Sequence, residues 1–286
     1  METDYTEGKH SGIKVNQISS RKNTLIKDIR RLERRSYRDR DRLFVVEGFN
    51  ALSEAVSFGL DIKTLVFVPE RREEVFVLLS GSAIRAELFE VSRDLMDCIS
   101  DVDNSQGVLG VMSYLDYPPE QVLERSSSMV LIADRVSDPG NLGALIRVAD
   151  ASGADSFIAS EGSCDIYNRK VVRSTAGSIF HLPVVRNADL SRVLDVARSQ
   201  GFKVYGLDPR GGKNYLDADL TKPFAIVVGN EAFGITPELR GKLDEILSIE
   251  MPGKTESLNV ACSASVVLFE AIRQRRGVFA GKNGTT

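Results

Sequence analysis

The chain of 286 residues has little of the chemistry that most enzymes rely on. It holds three cysteines, Cys98, Cys164 and Cys262, and two histidines, His10 and His181. No Cys-x-x-Cys occurs, so a zinc site and a disulfide framework are both disfavoured, and reduced thiols in a cytoplasmic protein are the expectation. Histidine offers little as a general base, with His10 in the polar N-terminal stretch and His181 beside a short strand, where a structural role is expected. There is no excess of basic residues, the net charge being -3, so the chain is not a nonspecific polycation. Apolar runs such as Val75 to Leu79 and Met129 to Ala133 fall far short of the roughly 18 residues needed to span a membrane. Neither Gly-x-Gly-x-x-Gly nor Gly-x-x-x-x-Gly-Lys-Ser/Thr is present, which disfavours a dinucleotide or P-loop nucleotide site. The start, Met1-Glu2-Thr3-Asp4, is polar and acidic and does not read as a signal peptide.

What the chain does contain is an ordinary globular composition, 42% hydrophobic and 27% charged, with room for two domains. Residues 1 to 20 read as a loose tail. Residues 21 to 42 carry ten basic residues against four acidic ones, so this segment runs against the acidic whole. Leu25, Ile26, Ile29 and Leu32 recur at helical spacing, which places Arg30, Arg34 and Arg38 together on the opposite face. That face is either solvated or a phosphate-contacting stripe. Short strand and helix patterns then alternate from Phe44 to Met112, with Ser92 as an expected N-cap, and give a first domain over 21 to 115. Residues 116 to 128, with Asp116-Tyr117-Pro118-Pro119 and Ser126-Ser127-Ser128, read as a linker.

The second domain, 129 to 280, alternates apolar strands with helices. Strands are expected at Met129 to Ala133, Ser156 to Ala159, Pro183 to Val185, Phe202 to Leu207, Phe224 to Val228 and Ile246 to Ile249. Short all-apolar strands separated by helices imply an α/β fold with a parallel sheet covered on both faces. Ligands in such folds bind where strand ends meet helix starts. Three turns qualify.

The first is Asp134 to Gly143, where Asp138 is a good N-cap and Pro139 suits the first helical position. In the helix that follows, Leu142, Leu145, Ile146 and Ala149 form the buried stripe. Gly143 permits a close approach of backbone or ligand, and Arg147 lies off the core face. The second is Gly229-Asn230-Glu231-Ala232-Phe233-Gly234, where a carboxylate is placed to meet converging amides. The third is Ile249 to Ala261, a polar turn between a strand and a helix rich in small residues. That helix is expected over Glu256 to Arg276, closing at Gly277.

Asp138-Pro139-Gly140-Asn141-Leu142-Gly143…Arg147, Gly229-Asn230-Glu231…Gly234 and Ile249…Ser257-Leu258-Asn259-Val260, in that order, resemble the three signature motifs of the SpoU (TrmH) family of SPOUT RNA methyltransferases. The similarity spans about 128 to 277. Arg42-Leu43-Phe44-Val45-Val46-Glu47-Gly48 also resembles the start of the family's L30e-like substrate-binding domain. One departure is Glu250, where members often have proline before the methionine.

The resemblance implies a trefoil-knotted catalytic domain, a homodimer, S-adenosylmethionine as methyl donor, no metal, and the 2′-hydroxyl of an RNA ribose as acceptor, most readily in ribosomal RNA of the large subunit. A transfer RNA enzyme, an antibiotic-resistance enzyme and a non-catalytic ribosome-assembly factor are the alternatives. It further implies Arg147 as the residue that assists the hydroxyl, with Asn141, Glu231, Ser257 and Asn259 around it. Leu207, Gly229, Asn230, Glu231, Ile249, Met251, Ser257, Leu258 and Asn259 would hold the donor. Arg30, Arg34, Arg35, Arg42 and Arg173 would contact RNA. A guanidinium holds its proton too tightly to be an ordinary base, so the role expected of Arg147 is to bind and polarise.

Overall fold

The computed structural model describes residues 14–123 and 129–282. The backbone divides into two compact units, one ending at Tyr114 and the other beginning at Leu115.

The first unit is a five-stranded mixed sheet. Its elements are β1 (Val15–Ile18), α1 (Thr24–Arg31), α2 (Arg35–Asp41), β2 (Leu43–Glu47), α3 (Phe49–Ser57), β3 (Ile62–Phe67), α4 (Arg72–Leu79), β4 (Glu87–Val91), α5 (Arg93–Ile99) and β5 (Val108–Ser113). The sheet order is β1-β4-β3-β5-β2. Strands β1, β4 and β3 run parallel, and β5 is antiparallel to both β3 and β2. Ile26, Ile29, Val45, Val66, Leu95 and Leu109 share one buried cluster on this sheet.

Three expectations are corrected here. The tail does not extend to residue 20, because Val15 to Ile18 pair in register with Leu88 to Val91 as an edge strand. Ser92 occupies the N-cap position of α5 but its side chain caps nothing. Part of the basic segment is the expected helix, α1, but Arg34 and Arg38 do not continue its face. The segment breaks at Leu32 to Arg34, and Arg38 turns inward, 3% exposed, donating through Nη1 to Leu32 O and Glu33 O at 2.7 Å each. Those carbonyls are left over at the end of α1, where a cation is favoured. Arg30, Arg34, Arg35 and Arg42 stay exposed. Arg42 sits in the left-handed region (φ 55°), its guanidinium 5.3 Å from the centre of the Tyr114 ring.

The second unit is a seven-stranded sheet whose recorded pairings are all parallel. Its elements are α6 (Pro119–Val122), β6 (Met129–Ala133), α7 (Pro139–Ala151), β7 (Ser156–Ser160), α8 (Arg169–Ser174), β8 (Val184–Ala188), α9 (Leu190–Ser199), β9 (Lys203–Leu207), β10 (Lys213–Asn214), β11 (Phe224–Val228), α10 (Pro237–Arg240), β12 (Glu245–Ser248) and α11 (Val260–Lys282). The order is β10-β12-β9-β11-β6-β7-β8. Strands β6, β7 and β11 are buried along their whole length, as expected of a sheet covered on both faces.

The segment read as a linker is partly docked: Val122 and Leu123 join the core cluster of Val130, Ile132, Leu194, Val204 and Ala225. The last helix starts four residues later than expected, at Val260, because Asn259 caps it: its Oδ1 accepts from Ala261 N at 2.9 Å. It also continues past Gly277. Arg275, within this helix, donates to Leu220 O and Lys222 O and lies over the Phe224 ring. Among the described residues no helix is long and apolar enough to cross a membrane.

Candidate active site

Because the strands are parallel, their C-terminal ends open on one edge of the sheet. Four neighbouring strands, β12, β9, β11 and β6, deliver four turns to that edge. The three turns singled out in the sequence follow β6, β11 and β12. The fourth, Asp208-Pro209-Arg210 after β9, went unnoticed there.

Glu231 ties the first two turns together. Its carboxylate accepts from Asn141 Nδ2 at 2.9 Å, from Ser137 Oγ at 3.2 Å, and from the Ser137 and Asp138 amides at 3.3 Å each. The amides expected to gather around it thus belong largely to the turn after β6. Burial pushes this carboxyl up, but the donated hydrogen bonds outweigh it and hold it below the usual range. Asn230 completes the join. Its Nδ2 donates to Arg135 O at 2.8 Å, and its Oδ1 accepts from the Ala232 and Phe233 amides.

Asn141 then reaches the third turn. Its Oδ1 accepts from Asn259 Nδ2 at 2.8 Å. The polarity of this chain is fixed at both ends. A carboxylate only accepts, so the Asn141 amide NH₂ must face Glu231 and its oxygen must face Asn259. Asn259 therefore donates with Nδ2, leaving its oxygen to cap α11. The N-cap at Asp138 holds the other end in place, accepting from Asn141 N at 2.8 Å.

These turns enclose a cavity of about 850 Å³, within the size range of small-molecule sites. All the residues expected to hold a donor line it: Leu207, Gly229, Asn230, Glu231, Ile249, Met251, Ser257, Leu258 and Asn259, together with Asn141. Gly229 has no room for a side chain, since an added Cβ would lie 2.1 Å from the carbonyl carbon of Gly234. The Asp208 carboxylate, also on the wall, is 2% exposed and pairs with Arg210 at 3.1 Å and with Arg240. Burial pushes Asp208 up, but both guanidiniums and the Arg210 amide bring it down to about 2.

Arg147 is not brought into this wall. It is exposed on α7, and its side chain makes no hydrogen bond or ion pair among the described residues. Gly143, one turn before it, lies against α8, where an added Cβ would sit 2.4 Å from Ser174 Cβ and 2.8 Å from Val171 O. Arg173 is half-buried on α8. His181 pairs with Asp150 at 2.8 Å, and His10 lies outside the described residues. Among the described residues, no group of three or more His, Cys, Asp or Glu side chains is arranged to hold a metal ion.

Four strand-end turns on a parallel sheet, three of them locked to one another by an asparagine–carboxylate chain, define an α/β ligand-binding domain. The chain belongs to the SpoU rRNA methylase family: residues 128–269 match that family, and residues 23–110 match the MRM3-like substrate binding domain. It is 33% identical over 255 residues to the 23S rRNA (guanosine(2553)-2′-O)-methyltransferase RlmP of Bacillus subtilis, covering 89% of this chain and 98% of that one. It is 32% identical to the 23S rRNA (uridine(2479)-2′-O)-methyltransferase of Streptomyces viridochromogenes, covering 89% of this chain and 90% of that one. The crystal structure of an AdoMet-bound rRNA methyltransferase from Sinorhizobium meliloti superimposes with a TM-score of 0.82 at 32% identity, over 91% of this chain and 98% of that one.

Proposed function

We propose that the protein is an S-adenosylmethionine-dependent methyltransferase that modifies a ribose 2′-hydroxyl of 23S ribosomal RNA. One observation carries the reading: the Glu231–Asn141–Asn259 chain runs along a cavity lined by every residue that the family motifs assign to the donor. The lining suits the donor chemically. Leu207, Val228, Ile249, Met251 and Leu258 supply apolar surface for the adenosine and methionine parts. The backbone N–H groups of Met251 and Leu258 make no hydrogen bond among the described residues, so they are free for a polar ligand edge. Bound there, S-adenosylmethionine supplies an electrophilic methyl group on a sulfonium.

In this reading the chain aims a weak nucleophile. Asn141, Ser257 and Asn259 orient the ribose, Glu231 keeps the asparagine chain polarised, and Arg147 binds the neighbouring phosphate and favours the alkoxide electrostatically. Arg30, Arg34, Arg35, Arg42 and Arg173 contact RNA phosphates. Arg147 stands outside the lining of its own chain's cavity, which supports a homodimer through the catalytic domain. Phe269 on α11, 48% exposed, is apolar surface available to such a contact. The trefoil knot and a cytoplasmic location belong to the same reading.

The test is transfer of a labelled methyl group from S-adenosylmethionine to total RNA and to immature ribosomal particles, followed by mapping of the modified nucleotide. Label on a 23S ribose is the expected result, and label on a transfer RNA would replace the substrate. Absence of label on any RNA would sink the reading.

A further inference from the structure

The turn that carries Glu231 also carries a large apolar side chain with no partner in the core. Phe233 is 82% exposed, the most exposed of the large hydrophobic residues among the described residues. It is not on a loose loop. The turn is closed by reciprocal bonds, Asn230 N to Gly234 O at 3.0 Å and Gly234 N to Asn230 O at 2.8 Å. The Phe233 amide is held by Asn230 Oδ1 at 3.2 Å, and Gly234 takes a left-handed φ of +73° that a side chain would strain. A rigid turn thus presents an aromatic ring to solvent, two residues from the carboxylate that organises the cavity wall.

A cation stands beside it. The Arg210 guanidinium lies against the same turn, its Nη2 2.7 Å from where a Cβ on Gly234 would be. Arg210 and Arg240 share the single carboxylate of Asp208, so neither guanidinium has a carboxylate to itself there. An exposed aromatic next to an arginine cluster, at the mouth of a site, suits a nucleic acid strand: the base stacks and the phosphate meets the cation.

We infer that Phe233 is a stacking platform for an unpaired nucleobase of the RNA substrate, with Arg210 beside the adjoining phosphate. This rests on the functional reading above. Stacking is tolerant of base identity, because every base has a π-face. The platform would therefore hold the strand without choosing the nucleotide, in keeping with relatives named for a guanosine and for a uridine.

The test compares wild type with Phe233→Ala, Phe233→Leu and Phe233→Trp in methyl transfer to 23S rRNA, with the Kd for S-adenosylmethionine and the oligomeric state measured on each. Phe233→Ala should raise KM for RNA about tenfold, Phe233→Leu should resemble it, and Phe233→Trp should restore the wild-type value, all with an unchanged donor Kd. An unchanged KM in Phe233→Ala overturns the inference and leaves the enzyme reading intact. So does a weakened donor Kd, which would put the ring against the cofactor, a change in oligomeric state, which would put it against a second copy, or rescue by leucine, which would make it mere apolar packing. A wild type that methylates no RNA overturns the functional reading, and this inference with it.

Discussion

Asn259 Nδ2 donates to Asn141 Oδ1 at 2.8 Å across 118 residues of sequence. Each amide in this pair has its other end committed, Asn141 to Glu231 and Asn259 to the first turn of α11. The contact therefore has one possible direction, and a substitution can abolish it without disturbing the cap. Aspartate caps a helix as well as asparagine does. Asn259→Asp should keep thermal stability near wild type while setting an acceptor against the Asn141 oxygen. Loss of a neutral amide–amide bond, about 0.5–1.5 kcal/mol, corresponds to a fall in transfer of roughly 2- to 10-fold. Wild-type activity in this variant would show that the chain has no part in the reaction.

Arg147 has no partner among the described residues and is absent from the cavity lining. Arg147→Ala should lower transfer by about 100-fold or more and leave the Kd for S-adenosylmethionine unchanged. Calorimetric titration with the donor, run beside the activity assay, separates the two. Activity near wild type would remove this residue from the mechanism.

Asp208 has a folded pKa of about 2 against an ordinary value of 3.8. A depressed carboxyl contributes stability that is fully present above the unfolded value and is lost as pH falls through the folded one. The window is therefore about pH 4 down to about pH 2, and the contribution at neutral pH is about 2 kcal/mol. Asp208→Asn should be less stable than wild type at pH 7 by about that amount or more, since two guanidiniums lose their carboxylate. Denaturant titrations along a pH series should show the two proteins converging below pH 3. A constant gap at every pH would mean that the ion pairs contribute nothing.

Gly143 lets α7 and α8 touch. Gly143→Ala should cost about 1–3 kcal/mol, because the nearest obstacles are the Ser174 Cβ and a backbone carbonyl rather than a flexible side-chain end. Gly241→Ala is the control: its φ is -69°, and an added Cβ meets only ordinary contacts at 3.6 Å and beyond. Equal melting temperatures for both variants would show that the α7–α8 contact tolerates a methyl group.

The apolar strands of the second unit were legible because a sheet covered on both faces must be written as continuous runs of Val, Ile, Leu and Phe. The cap at Asp138 was legible because its signal is local. What the sequence concealed were decisions taken by distant partners. Val15 to Ile18 looks like tail until Leu88 to Val91 pairs with it. Lys213–Asn214 is too short to carry any pattern of its own. Arg38 was expected on a surface face, yet the bend at Leu32 to Arg34 leaves carbonyls that draw it inward. In the site, the motif residues were readable one by one. The direction of the Glu231–Asn141–Asn259 chain was not, nor was the ion cluster of Asp208, Arg210 and Arg240, since Asp-Pro-Arg after a strand reads first as a turn.

The 118-residue separation of Asn141 and Asn259 also sets a schedule. During synthesis β6 and α7 emerge early, but the wall they share with Asn259 does not exist until the start of α11 has been made. A growing chain that stops short of residue 259 has the first two turns and nothing to close them. In the proposed reading, a chain that stops short of residue 259 lacks part of the donor wall, so donor binding awaits the last part of synthesis.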